Sequence, residues 1–358
     1  MSPLRQATAA FVFLSLVSSA QAGPLSAFTE TTLQTNLTDP DLVNPWGISS
    51  SATGPFWISD NGTGLSTLYN TPGVKQGLVV SMPAGSLNVT GQVFNGTSSF
   101  NSDAFLFASE NGTIAGWRGA LGTTAETLFT VAGASYKGLA VSSAKDTLFA
   151  ANFAAGRIDV FSSAGLTGSY VDPTTPAGYA PFNIQNINGK LYVTYALRGA
   201  TGDDVAGAGN GFVSVFDPIT HTFTRLVTQG ALNSPWGLAI APADFGTLAG
   251  DLLVGNFGDG TINAFDALSG ALLGTLADSS GVSLVNDGLW GLDFGNGGNG
   301  GLKNALYITA GPNNETGGLF ARIDSTTIPE PSSLFLTGAG LTMFIFRRRK
   351  VKAPTAAS

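Results

Sequence analysis

Three short stretches decide the fold: Pro45-Trp46-Gly47-Ile48, Pro235-Trp236-Gly237-Leu238 and Leu289-Trp290-Gly291-Leu292. Weaker copies stand at Tyr136-Lys137-Gly138-Leu139 and Ala180-Pro181-Phe182-Asn183-Ile184, and a sixth, Thr90-Gly91-Gln92-Val93-Phe94, fills the remaining gap. Anchored on Gly47, Gly91, Gly138, Asn183, Gly237 and Gly291, the copies recur at intervals of 44, 47, 45, 54 and 54 residues. A period in this range with strand-like content is the sequence signature of a propeller blade.

The residues between anchors have that content. A second strand follows each anchor, as in Phe56-Trp57-Ile58-Ser59 and Asp251-Leu252-Leu253-Val254. A Gly/Asn turn then leads to a third strand, as in Phe212-Val213-Ser214-Val215-Phe216-Asp217. Apolar or β-branched runs bounded by Gly, Asn, Asp and Pro are strands and turns. The last repeat offers only three strands, ending at Gly318–Ile323, whereas one unmatched β-like stretch, Phe28–Leu33, precedes the first. Three strands from one terminus and one from the other complete a sixth blade and pair edges that would otherwise be exposed. The expected architecture is an all-β, six-bladed β-propeller over residues 23–324, closed by an N-terminal strand.

Composition agrees. Of 358 residues 48 are Gly, roughly twice the usual ~7%. Only 11% are charged against a typical ~25%, while 43% are hydrophobic, enough to bury a core. One His and no Cys exclude thiol nucleophiles, disulfides, Fe–S clusters, Cys-ligated zinc and His-rich metal sites. His221 falls in a peripheral turn of the fourth blade, and a Ser-His-Asp arrangement has no support there. From residue 23 to 330 the chain carries 10 Lys and Arg against 23 Asp and Glu, a net charge of −13. Such a body repels phosphate backbones, so no nucleic-acid partner is expected.

Both ends read as addresses. Residues 1–22 hold Arg5, an apolar stretch and Ala20-Gln21-Ala22, the pattern of a signal peptide with Ala20 and Ala22 as the small residues of its cleavage site. Near the C-terminus, a linker of residues 325–331 carries Pro329-Glu330-Pro331. A 15-residue apolar helix over 332–346 follows, then a basic cytoplasmic tail over 347–358 opened by Arg347-Arg348-Arg349. The span is shorter than the ~20 residues that cross a bilayer comfortably, and the basic cluster would stop transfer. This order resembles the PEP-type C-terminal sorting signal of Gram-negative bacteria. The resemblance implies transient retention in the inner membrane, recognition by a membrane sorting or processing enzyme, and release to the cell surface or exterior. The repeats in turn resemble an uncharacterised family of exported bacterial β-propellers carrying the same tail. That likeness rests on the Pro-Trp-Gly anchors, Ile58-Ser59-Asp60-Asn61-Gly62 and Gly255-Asn256-Phe257-Gly258-Asp259-Gly260. It implies the fold and supplies no activity.

Candidate ligand-binding residues follow from the repeat. Polar groups recur after the second strands at Asp60, Asn61, Glu110, Asn152, Tyr195 and Asn256. Asn44 and Asn183 lie at the first strands, and Asp287 precedes the last anchor. These positions should gather at one mouth of the central channel. Trp46, Trp236 and Trp290 share one repeat position and serve either as a stacking platform for sugars or as packing between blades. The Asn/Asp/Glu groups make Asx-turns or, alternatively, supply oxygens to Ca²⁺. In the second case Asp60, Glu110 and Asp287 carry the charge. No catalytic residue and no resident metal is assigned. Two functions survive: a non-catalytic module binding an envelope or exopolysaccharide component, and a metal-assisted hydrolase or lactonase working at the channel mouth.

Export has a direct consequence. The mature protein is expected to start at Gly23; intact-mass measurement of surface-exposed protein that still carries Met1 would refute this.

Overall fold

The computed structural model describes residues 23–86 and 88–326. The signal segment with Ala20 and Ala22, the motif Pro329-Glu330-Pro331, the apolar stretch and Arg347-Arg348-Arg349 lie outside the described residues. Among the described residues are 25 strands and three single-turn 3-10 helices, and no helix is long and apolar enough to cross a membrane.

The strands form six sheets arranged as blades around an axis. Counting blades in chain order, the innermost strands are Pro45–Ser50, Val89–Phe94, Tyr136–Val141, Tyr179–Ile187, Pro235–Ile240 and Leu289–Phe294. Each packs beside the inner strand of the next blade, and the sixth packs beside the first, so the ring closes. Blade six takes three strands from the C-terminal end, and its outer strand is Phe28–Thr35, paired antiparallel with Leu319–Ser325. The closure expected from the unmatched N-terminal stretch is present.

Blade five departs from expectation. A further strand, Pro24–Ser26, joins its outer edge in parallel, pairing with Thr275–Ala277. Gly274 permits the approach, because a Cβ there would meet the Gly23 carbonyl oxygen at 2.3 Å. The chain then crosses to blade six through Ala27, whose amide donates to the Ala277 carbonyl and whose carbonyl accepts from Thr326. One N-terminal segment thereby stitches two blades together.

Alternation along the strands explains where the core sits. Side chains on opposite faces of a strand enter opposite inter-blade layers. Phe56 and Ile58 of blade one pack on Tyr307 and Phe320 of blade six, while Trp57 turns the other way onto Phe105 and Phe107 of blade two. Each of the six gaps is filled in this manner.

The anchors owe their glycines to proximity. A Cβ on Gly91 would lie 2.4 Å from the Leu139 backbone nitrogen in the next blade, and one on Gly47 would lie 2.6 Å from the Thr90 carbonyl oxygen. Gly237 and Gly291 meet the Trp290 and Trp46 carbonyls in the same way. The lone exception, Asn183, uses its side chain for the contact and donates from Nδ2 to the Trp236 carbonyl at 2.8 Å.

Space alone decides at Gly91. Gly91→Ala is expected to destabilise by about 3 kcal/mol, because a methyl forced against backbone has nowhere to move. Gly168→Ala, on an outer strand with nothing within 4 Å of its Cβ position, should stay within about 0.5 kcal/mol of wild type. Urea melts of both variants check the contrast.

Candidate functional site

All six inner strands carry a register irregularity at the anchor: Pro45/Ile48, Val89/Gln92, Tyr136/Gly138, Pro181/Asn183, Pro235/Gly237 and Leu289/Leu292. A β-bulge kinks a strand and re-aims the side chain at the kink. Here that residue immediately precedes the anchor, and the repeat column reads Trp46, Thr90, Lys137, Phe182, Trp236, Trp290.

These residues fill the axis. Trp46 stacks on Trp290, and Trp236 meets both edge-on with centroids about 6 Å away. Phe257 stacks on Trp290 at 4.0 Å, and Phe153 and Phe182 complete the cluster. Trp236 Nε1 donates across the axis to the Lys137 carbonyl at 3.0 Å, while Trp290 Nε1 donates to Asn44 Oδ1 at 2.9 Å. With Trp46, Trp236 and Trp290 only 3%, 4% and 1% exposed, their rings serve as a plug. That leaves Trp46 and Trp290 no open face for a sugar. Trp236 alone also borders open space, below the plug.

Above the plug lies the mouth where the turns after the second strands meet. Lys137 is buried, with its Nζ 5.3 Å from the Trp46 ring centroid. It is salt-bridged to Glu110, and Asp203 of the long blade-four insert stands at 3.8 Å. Glu110 Oε2 also accepts from Asn61 Nδ2 and Asn88 Nδ2, both at 3.3 Å. Asn44 Nδ2 donates to Glu315 Oε2 at 2.6 Å and to Asn61 Oδ1. Burial pushes the Glu315 and Asp204 carboxyls up, with like-charged neighbours adding to it and Lys137 opposing. Asn44, Asn61 and Glu110 are therefore brought together. Lys137 and Glu315 complete the network, and the sequence signal for Lys137 is a cation in a column of aromatics.

Other expected members lie elsewhere. Asp60 is wholly buried against Thr67, with its carboxyl raised well above the usual range by desolvation, and its neighbours are Asp39 and Tyr69 inside blade one. Tyr195 belongs to the strand Lys190–Leu197 and not to a turn. Its buried ring lies 5.4 Å from the Arg225 guanidinium between blades. Asn152 donates to Asp159 and accepts from the Ala155 amide, a local structural use. Asn256 holds Ala231 and Thr261 in the same manner, and Asn183 bridges blades four and five. Asp287 is exposed and caps the Asn313 amide. Asp60, Glu110 and Asp287 thus keep separate partners, and among the described residues no three His, Asp or Glu side chains converge to hold a metal ion.

Below the plug the axis is open. A cavity of about 250 Å³ enters from the opposite face, bordered by the inner strands and by Trp236. Two residues after each anchor the column reads Ser49, Val93, Ala140, Gln185, Ala239, Asp293. All of these except Ala239 line the cavity. Asp293 is half-buried and forms no hydrogen bond or ion pair with another side chain among the described residues; desolvation pushes its carboxyl up to about 7. Lys145 at the rim is already engaged, donating to the Phe94 carbonyl at 2.6 Å with its charge 4.6 Å from the Phe94 ring centroid.

With this geometry in hand, known proteins can be compared. An uncharacterized protein of Acanthamoeba polyphaga mimivirus is 37% identical over 283 residues, covering 71% of this chain and 69% of its own length. A second uncharacterized protein of the same virus is 34% identical over 279 residues, covering 71% and 74%. This chain belongs to their family. No family model matches it. Being viral, these relatives lend no support to a bacterial source or to the sorting signal. Among solved structures, a streptogramin B lyase superposes with a TM-score of 0.55 at 12% identity, over 84% of this chain and 98% of the lyase. The WD40 propeller domain of Doa1 gives 0.51 at 11% identity, over 85% and 98%. At these identities the mimivirus-family chain shares with them the propeller fold.

Asp293 sets a pH dependence. Its folded-state pKa of about 7 lies above the ordinary ~3.9 of an unfolded Asp, so between those values the folded state holds the extra proton. Stability due to this group is therefore full below about pH 4, falls as pH rises, and is lost above about 7. Asp103, raised to about 6 by burial, titrates in the same window in any variant. Thermal melts should show a smaller loss of Tm from pH 5 to pH 8 in Asp293→Asn than in wild type. Equal losses would contradict the assignment.

Proposed function

We propose that this chain is a non-catalytic binding propeller, exported to the cell surface or extracellular matrix, that holds an envelope or exopolysaccharide component. One observation supports the absence of catalysis most directly. Asn44, Asn61, Glu110 and Glu315 at the upper mouth are spent on one another and on Lys137, above an axis sealed by tryptophan. A nucleophile with a neighbouring base has no place in that network. The leader and the Pro-Glu-Pro tail support delivery, with a membrane sorting enzyme as the partner in transit. The alternative, a metal-assisted hydrolase or lactonase, requires convergent carboxylates, and Asp60, Glu110 and Asp287 have different partners.

The two classes separate in one pair of assays. Mature protein is expected to retain glycans on an array equally well with Ca²⁺ or EDTA, and to leave the lactone dihydrocoumarin unchanged. Ca²⁺-dependent hydrolysis of dihydrocoumarin that Glu110→Gln abolishes would overturn the binding reading in favour of the enzyme.

A further inference from the structure

The cavity beneath the plug carries polar groups with no internal use. Gln92, Asn183, Asn186 and Lys145 also border it, but each has its side chain hydrogen-bonded within the fold. Ser49, Gln185 and Asp293 differ. Ser49 Oγ has no partner but is sealed from the open space, whereas Gln185 and Asp293 are half-buried and make no side-chain hydrogen bond among the described residues. All three occupy the same column of the repeat, two residues after the anchor, in blades one, four and six. Val93 and Ala140 occupy that column in blades two and three, where they pack into the gaps between blades while bordering the cavity.

A half-buried carboxyl and a half-buried amide thus stand in one small space with no side-chain partner. A ligand rich in hydroxyls satisfies both together. We infer that this cavity is a binding site for one neutral sugar ring at the end of a glycan, held by Asp293 and Gln185 and floored by Trp236. The inference deepens the binding reading and rests on it.

Three properties fix the ligand class. First, a carboxylate accepts from two adjacent hydroxyls, and a primary amide both donates and accepts. That set matches a polyol and not a hydrocarbon. Second, Trp236 and Phe94 border the same space as these polar groups, giving the apolar face of a sugar ring a surface to pack on. Third, the one cation at the rim, Lys145, is occupied and the body carries −13, so an anionic sugar is disfavoured. Size and shape then limit how much of a chain enters. About 250 Å³ lies just under the ~300–1,000 Å³ of drug-sized pockets, which suits a single ring. The plug of Trp46, Trp236 and Trp290 blocks passage through the axis, so a polymer can present only its end.

Isothermal titration of the mature protein tests this, with glucose, galactose, mannose and N-acetylglucosamine as probes, together with linear homo-oligomers of each from two to six units. At least one monosaccharide is expected to bind at one site per chain, with each longer oligomer binding one protein at similar molar affinity. Asp293→Asn and Gln185→Ala should each weaken binding on the order of tenfold, and His221→Ala on the far rim should leave it unchanged. Thermal melts at pH 8 confirm that the variants are folded. Affinity that grows with oligomer length, with several proteins per chain, overturns end recognition. Glycan binding that survives both Asp293→Asn and Gln185→Ala overturns this site while leaving the binding function intact. Failure of every mono-, oligo- and polysaccharide removes both.

Discussion

The contact between neighbouring inner strands governs the rest of this molecule. Backbone meets backbone there with no room for a Cβ at Gly47, Gly91, Gly237 or Gly291. Packing this close draws six blades onto a narrow axis, and the bulge at each anchor turns the preceding side chain into that axis. Large aromatic rings then fill what would otherwise be a void. The Pro-Trp-Gly sequence expresses these requirements together: rigid entry, a filler for the axis and a clearance for the neighbour. Asn183 departs from glycine and compensates with a hydrogen bond to the very carbonyl it approaches.

The plug divides the axis into two unlike halves. Above it, Lys137 would be an uncompensated buried charge without Glu110, and Glu110 gains hydrogen bonds from Asn61 and Asn88. A buried cation with its counter-ion in place is a closed arrangement, because removing either partner strands the other. Below the plug, Asp293 has no counter-ion and its environment favours the neutral acid.

Sequence revealed what depends on periodicity and missed what depends on direction. Six blades and the closing strand Phe28–Thr35 were legible because a repeat and a missing strand can be counted. Asn61 and Glu110 share a place after the second strands, and Asn44 before a first strand lies at the same end of the blade. Asp60 occupies a comparable place, yet its side chain enters blade one, since neighbouring residues of a strand point to opposite faces. Tyr195 falls inside its strand, Lys190–Leu197, because that strand runs longer than its counterparts. The strand Pro24–Ser26 has three residues and no alternation, so nothing marked it. Asp293 was within reach: in its column the other blades carry Ser, Val, Ala, Gln and Ala, and a single acid among them is the outlier.

The pairing of Phe28 with Ser325 has a kinetic meaning. It joins residues from opposite ends of the folded body, so the loop-closure entropy of nearly the whole chain is met in one late step. Five blades can assemble from local hairpins as the chain emerges, but the sixth waits for the last strand to arrive. Until then the N-terminal segment has no antiparallel partner, and the edge of blade six is open to any extended peptide. The ring behaves as a clasp, secured only when Leu319–Ser325 is there to pair with Phe28–Thr35.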